Sequence, residues 1–391
     1  MSTRSAFDVA IVGGGLVGLS LALAMRRRGL QVALIEPQLL KPIPRDDTWD
    51  NRIYAVSPGS AAFLESLDVW PGLPPERITR VEAMEIYGDD STARLEFSAY
   101  DAGLRELAFI VENRRLQQEL WRNVDSSAVR VFCPAACAAV EFGAHHATLT
   151  LADGSEIEAR LVVGADGADS WIREQAGIGM TPAAYGQFGV VANFSCEKPH
   201  YGVAFQWFQR DAVLALLPLA GNRVSMVWSI VTERAERLLT LPASELAAEV
   251  SAASNHALGE LGLITAPVAF PLRLQRVAQF VKPRVALVGD AAHNVHPLAG
   301  QGINLGFRDA RALAATLEVR EARYDCGDYP LLRRYERARK EDVATLQFTT
   351  HALQKLFANE RVSIAKARNA GLKLVNRQPQ LKNFLVRQAV A

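Results

Sequence analysis

The sequence predicts an α/β protein: a parallel sheet of the nucleotide-binding kind, interrupted by an antiparallel β-sheet and closed by a helical C-terminal region. Three observations predict it. "DVAIVGGGLVGLSLALAMRRRGLQVALIE" reads as strand, glycine turn, helix and strand within the first 36 residues. From Tyr185 to Ile230 the character changes to short apolar runs with tight turns, such as "VAFQWFQ" and "AVLALLPLAGNRVSMVWSIV". "PRVALVGDAA" then returns to a buried parallel strand, and the chain from Pro330 onward has helical spacing.

Taken in order, Phe7 to Val12 is the first strand. In the following helix Leu16, Leu19 and Leu23 supply the buried face, Arg26 to Arg28 suit the negative C-terminal end of the dipole, and Gly29 caps it. Val81 to Tyr100 alternates and turns at "GDD", an antiparallel hairpin. "AFIVENRRLQQELWRNV" goes back to helix, and "RLVVGADGADSWIRE" is strand, turn and helix. The predicted division is a discontinuous nucleotide-binding domain over 1–79, 102–180 and 275–328, a β-rich substrate domain over 80–101 and 181–274, and C-terminal helices over 329–391.

At 391 residues the chain exceeds what one core normally organises. Its composition, 49% hydrophobic and 22% charged, is that of a soluble protein, and a net charge of +1 provides no field to attract nucleic acid. No apolar run is long enough to cross a bilayer. The strand beginning at Phe7 leaves no room for a signal peptide, so Cys133, Cys137, Cys196 and Cys326, which lack metal spacing, are expected to be reduced thiols of a cytoplasmic protein.

Gly13, Gly15 and Gly18 form G-x-G-x-x-G between a strand and a helix, and Glu36 ends the next strand where an acid holds a ribose hydroxyl. The first glycine makes the turn, the second admits a pyrophosphate, and the third lets helix and strand pack, with the helix N-terminus facing the phosphates. An acid at Glu36 argues against a 2′-phosphate, hence against NADP in this site; the motif does not separate NAD from FAD.

"VALVGDAAHNVHPLAGQGINLGFRDA", Val285 to Ala310, separates them. A strand delivers Asp290 to its C-terminal end, where parallel sheets bind ligands and where a carboxylate accepts bonds from a ribityl chain. Pro297 stiffens the turn, and Gly300 and Gly302 let backbone N–H groups approach a planar ligand. Ile303, Phe307, Ala310, Ala314 and Leu317 are three or four apart, so a helix starts near Gln301 with its positive end toward the negative charge of a reduced flavin. One FAD spanning both glycine-rich sites accounts for both. His293 and His296 are H-x-x-H with no third ligand in reach, so no metal is expected. His293 reads as a structural residue, and His296 and Pro297 as candidates for the active face; no confident catalytic residue emerges. Trp207, Phe208 and Trp228 fall on strands, as core or as substrate stackers.

"HPLAGQGINLGFRD" resembles the signature of the ubiquinone-biosynthesis flavin hydroxylases, a branch of the class A flavoprotein aromatic monooxygenases with the para-hydroxybenzoate hydroxylase fold. "GADGADSWIR", "VGDAAH", "DNRIYAVS" and "VENRRLQQELW" agree, and the similarity runs from about residue 7 to the end of the chain. The resemblance implies that Asp166 and Gly167 lie near the pyrophosphate and the nicotinamide route, that Asp290 meets the ribityl chain, that Arg52 approaches the flavin, and that Asn113 and Asn304 belong to the cofactor site. It implies NADH or NADPH as a transient reductant, since there is no second fingerprint, and a C4a-hydroperoxide that transfers oxygen from O2 to a polyprenylated phenol. The tail from His351 carries eight Lys or Arg and one Glu, with apolar groups Leu353, Leu356, Phe357 and Leu381, Phe384, Leu385. That suits an anionic membrane surface, other quinone-biosynthesis proteins, or packing on the enzyme body, and hence a peripheral place at the inner membrane. The rival readings are a class A hydroxylase of a small soluble aromatic, an oxygen-independent FAD oxidoreductase of the same fold, and a flavin-binding assembly subunit.

Overall fold

The computed structural model describes residues 5–43, 48–88, 94–209, 212–294 and 302–357, and within the C-terminal segment 376, 378, 380, 382, 383 and 386. Ser5–Val12 forms the centre of the first sheet, flanked in parallel by Val32–Ile35 and by Glu156–Gly164. Arg130–Phe132 adds beyond Val32–Ile35, and Val285–Leu287 beyond the far end of Glu156–Gly164, both parallel. The strand Val9–Val12 is buried on both faces, as a parallel sheet covered by helices requires.

The intervening sheet is antiparallel except at one place. Met180–Cys196, Arg223–Val231, Ala212–Leu219 and Val203–Gln209 pair in succession. Val203–Gln209 then pairs in parallel with Ala83–Tyr87, which forms a hairpin with Arg94–Ser98. In Ala212–Leu219 the positions 212, 214 and 216 are buried, while 213, 215 and 217 are partly open. This period of two separates the face covered by the helices Thr232–Thr240 and Ala243–Ala253 from the face that looks back toward the first sheet. Trp207 and Trp228 are in the helix-covered core, and Phe208 packs with Ile86 and Val213, so all three are packing residues.

A small sheet of Ile53–Val56, Ala108–Glu112 and Thr79–Val81 bridges the two. The helix Tyr329–Phe357 braces the return strand: Tyr335 Oη donates to the Leu287 carbonyl at 2.9 Å, and Glu336 accepts from Phe280 N–H at 2.8 Å. All four cysteines are free thiols. Among the described residues no helix is long and apolar enough to cross a membrane.

Candidate active site

The first glycine turn does three different jobs. Gly13 has φ +113°, and a Cβ there would lie 2.4 Å from the Ala165 carbonyl oxygen. A Cβ on Gly18 would meet the Gly13 carbonyl oxygen at 2.0 Å, so this glycine sets how closely helix Leu16–Arg27 packs on its strand. At Gly15, by contrast, nothing lies within 4 Å. The backbone opens there onto a cavity of about 830 Å³. The helix that starts at Leu16 has no side-chain cap and no acid in its first turn, so its N–H groups face that space.

Glu36 lies beside this turn. One carboxylate oxygen accepts from Gly14 N–H at 2.6 Å and the other from Gln38 N–H at 2.9 Å, which fixes the carboxylate at the strand end.

A second helix N-terminus enters the same cavity. Helix Gly302–Glu318 also lacks a first-turn acid. It crosses the first helix where a Cβ on Gly306 would be 2.5 Å from Val17 Cγ2, and Gly289 packs on the same valine. Asp290 follows Gly289 and opens onto the cavity. The residue is open to solvent, and the protein packed around it desolvates its carboxyl and raises its pKa, against the pull of His293 and Arg52. Beneath the turn, Asp309 is fully buried. It accepts from Gly289 N–H at 2.9 Å and from Arg339 Nε at 2.7 Å, and it meets His293 Nε2 at 2.6 Å. Burial works to raise its pKa, but His293 and Arg339 outweigh that and hold it below the usual carboxylate range.

The third wall comes from the segment ending at Arg52. Asp50 Oδ1 accepts from Arg52 N–H at 3.0 Å, and Asp50 Oδ2 from Arg114 N–H at 3.0 Å. Buried Glu112 accepts from Asp50 N–H at 2.8 Å and from Arg77 Nε at 2.9 Å, and the Arg77 guanidinium stacks 3.7 Å above Trp49. Burial raises the Glu112 carboxyl, but the bonds from Arg77, Asp50 and Arg115 prevail and lower its pKa. This clamp places Arg52 beside Asn113, whose N–H donates to the Arg52 carbonyl at 2.9 Å. One turn on, Gln117 Nε2 reaches the Gly14 carbonyl at 3.4 Å.

Of the residues expected from sequence, Gly15, Arg52, Asn113, Gly167, Asp290, Gly302 and Asn304 line this one cavity. Gly13, Gly18 and Glu36 shape its edge without lining it. Asp166 is turned away: it accepts from Ser170 Oγ at 2.5 Å and Ile172 N–H at 3.0 Å, capping the helix Trp171–Gln175. Asn304 lines the cavity, but its carboxamide accepts from Ser57 N–H and donates to the Ala55 carbonyl, both at 2.8 Å. It therefore holds the small sheet against the second helix. His296, Pro297 and Gly300 lie outside the described residues. His293 is buried and bonded to Asp309, a structural position.

Two cavity residues escaped the sequence reading. Tyr54 lies between Arg52, 5.5 Å from its ring, and Asp290; burial pushes its phenol up to about 12. Its signal was present in "DNRIYAVS", where the pattern drew attention to the arginine alone. The other is Gln206, in the middle of an apolar strand. Beyond them the cavity continues along an apolar wall that includes Met84, Phe97, Ala215, Leu217 and Val227, and Val386 of the C-terminal segment also borders it.

These residues fit an elongated, anionic dinucleotide with a polyol middle: two helix N-termini without a first-turn acid, an open Gly15, and one carboxylate between them. The comparisons agree. The family described as FAD binding domain matches residues 6–348. The chain is 36% identical to 3-demethoxyubiquinol 3-hydroxylase of Escherichia coli, covering 99% of both chains. It is 35% identical to ubiquinone hydroxylase UbiL of Rhodospirillum rubrum, covering 98% of this chain and 89% of that one. In fold it superposes on the crystal structure of Pseudomonas aeruginosa PqsL in complex with 2-aminobenzoylacetate with a TM-score of 0.78, at 23% identity, over 94% of this chain and 100% of that one. The chain belongs to the FAD-binding-domain family of flavin-dependent monooxygenases, among the hydroxylases of ubiquinone biosynthesis.

Proposed function

We propose that the chain hydroxylates the aromatic ring of a polyprenylated phenol on the route to ubiquinone, with FAD as cofactor, NADH or NADPH as passing reductant and molecular oxygen as co-substrate. The observation that carries this reading is the continuity of one cavity. It runs from Gly15, past Asp290 and Gly302, into an apolar wall made by the antiparallel sheet.

When bound, FAD supplies the redox chemistry: it accepts hydride from the nicotinamide and activates oxygen for insertion into the ring. The protein's part is to bind, orient and exclude water. The N–H groups at the start of helix Leu16–Arg27 would hold the pyrophosphate, and Glu36 a ribose hydroxyl. Asp290 would accept from ribityl hydroxyls. The N-terminus of helix Gly302–Glu318 would stabilise negative charge on the reduced ring. Arg52, Asn113 and Gly167 would close the other side, with Pro297 and Gly300 completing the turn and His296 at the active face. The apolar wall would seat the phenol and keep water from the reacting atoms. We assign the nucleotide-binding part to 1–79, 102–180 and 275–328, and the substrate part to 80–101 and 181–274.

The basic tail would bring the enzyme to an anionic lipid surface or to other quinone-biosynthesis proteins, as a peripheral cytoplasmic enzyme. Val386, bordering the cavity, and Asn376, whose Oδ1 accepts from Glu96 N–H at 3.1 Å, favour a tail that also contacts the body near the substrate wall.

The test is coupling under labelled dioxygen. With a prenylated phenol in detergent, one labelled oxygen should enter the product for each NADH or NADPH consumed. With short soluble phenols most electrons should appear as peroxide. Tight coupling on a small soluble aromatic, with no gain from a prenyl tail, would overturn the substrate assignment. Turnover without label in the product would overturn the monooxygenase assignment.

A further inference from the structure

The strand Val203–Gln209 has a single polar residue in its interior, Gln206, which is 4% exposed. Its register shows which way it faces. Gln206 pairs with Ala215 on one side and with Ile86 on the other. Ala215 pairs with Val227, and Val227 with Val191. Ala215, Val227 and Val191 all line the cavity, and so does Gln206. Its neighbours two residues away on the same face are Ala204 and Phe208. No hydrogen bond joins its carboxamide to another described residue, and its amide atoms are not sealed in the core but open onto the cavity.

Burying an amide in apolar surroundings without a partner is unfavourable, and the same position would pack well as Leu or Met. A carboxamide that is buried, unpaired inside the protein and directed at a ligand cavity has its partner in the ligand. Other polar groups of the cavity, among them Arg52, Asn113 and Asp290, belong to the segments that carry the nucleotide-site residues. Gln206 is instead set in the sheet wall that would face the aromatic ring.

We propose that Gln206 is a specificity-determining residue: its carboxamide hydrogen-bonds an oxygen substituent, a hydroxyl or its methyl ether, on the substrate ring seated against the sheet. The amide N–H donates to either oxygen, and the amide carbonyl accepts from a free hydroxyl. An apolar pocket discriminates weakly between rings that differ by one oxygen, whereas a buried group built to bond that oxygen rejects the ring that lacks it. Gln206 would therefore set which ring is accepted, and the apolar wall around it would hold the rest.

This inference rests on the aromatic-hydroxylase reading, and its test separates the two. Wild-type holoenzyme and Gln206→Met would be titrated with two prenylated rings, one bearing the ring oxygen and one lacking it, and followed by flavin absorbance and by coupled turnover. Wild type should prefer the oxygenated ring by about tenfold or more in Kd and kcat/KM, the scale of one hydrogen bond to a buried group. In Gln206→Met that preference should fall to near one, while binding of the deoxygenated ring is unchanged or tighter. The melting temperature of the ligand-free variant should be equal or higher, because a polar group in an apolar wall has been replaced by an apolar one. A variant that keeps the wild-type preference overturns the assignment of Gln206. Wild type that binds and turns over neither ring overturns the substrate reading itself.

Discussion

Asp309 Oδ2 lies 2.6 Å from His293 Nε2, and the same oxygen accepts the Gly289 N–H at 2.9 Å. One buried carboxylate thus joins helix Gly302–Glu318, the residue that follows the turn, and the backbone just before Asp290. Its other oxygen takes Arg339 from the C-terminal helix.

Asp309→Ala removes the shared acceptor and leaves buried Arg339 with only the half-exposed Asp342 as its carboxylate partner. Breaking a buried pair on one side typically costs about 3–5 kcal/mol. The expected result is a large fall in the urea midpoint and, at temperatures where the variant remains folded, incomplete FAD occupancy. Unchanged stability and a full complement of flavin would refute this account of the turn.

The three glycines of the first turn should respond differently to Ala. Gly13→Ala places a side chain at φ +113° against a carbonyl, and Gly18→Ala collides with backbone at 2.0 Å, so both should be poorly folded. Gly15 has an extended conformation and open space, so Gly15→Ala should fold normally and gain up to about 1 kcal/mol through the unfolded state. It should nevertheless bind FAD less well, because the methyl group occupies the approach to the helix N-terminus. Calorimetry and flavin content measured on all three separate folding from binding.

The protein around Asp290 desolvates it and raises its pKa although the residue is open to solvent, so its folded form resists ionisation more than its unfolded form. The charge therefore costs stability above the unfolded value of about 3.9, and the cost disappears as pH falls through the raised folded value. Asp290→Asn should stabilise the flavin-free protein at pH 7, with the difference shrinking toward pH 3, while FAD affinity falls by about tenfold. Asp309 behaves in the opposite sense. Its lowered pKa means a stabilisation present above about 3.9 and lost as pH drops through its folded value, in the wild type and in the variant alike. A variant less stable than wild type at neutral pH would contradict the assignment.

Truncation after Glu360 should leave the glycine turns and FAD binding intact and reduce co-sedimentation with anionic vesicles. The full-length protein's binding should weaken with salt, since screening acts within about 8 Å at physiological ionic strength. Equal partitioning of the two proteins would leave the tail only its contacts with the body.

The nucleotide half was legible because its chemistry is local. Gly13, Gly15 and Gly18 are separated by a few residues, and the same few residues decide φ, clearance and packing. Gly289 and Gly306 were harder to read, because the residue that explains both is Val17, far away in sequence. Asp309 belongs to no motif read from the sequence; only the arrival of Gly289, His293 and Arg339 gives it work. The resemblance implies Asp166 near the pyrophosphate, and what it did not reveal is that Ser170 Oγ and Ile172 N–H engage its side chain as a cap. Gln206 required a pairing register between strands more than 100 residues apart, and alternation within one strand cannot say which face the ligand shares.

The chain weaves between its sheets, and this imposes an order on synthesis. The central strand Ser5–Val12 emerges first, but Val285–Leu287, which carries the turn to Asp290, follows only after the whole antiparallel sheet has been made. At about 5–20 residues per second, the end of Glu156–Gly164 would wait for roughly 6–24 seconds with an exposed edge or a substitute partner upon it. Flavin capture during translation is thereby deferred to the last quarter of the chain, and chaperone demand should concentrate in that interval.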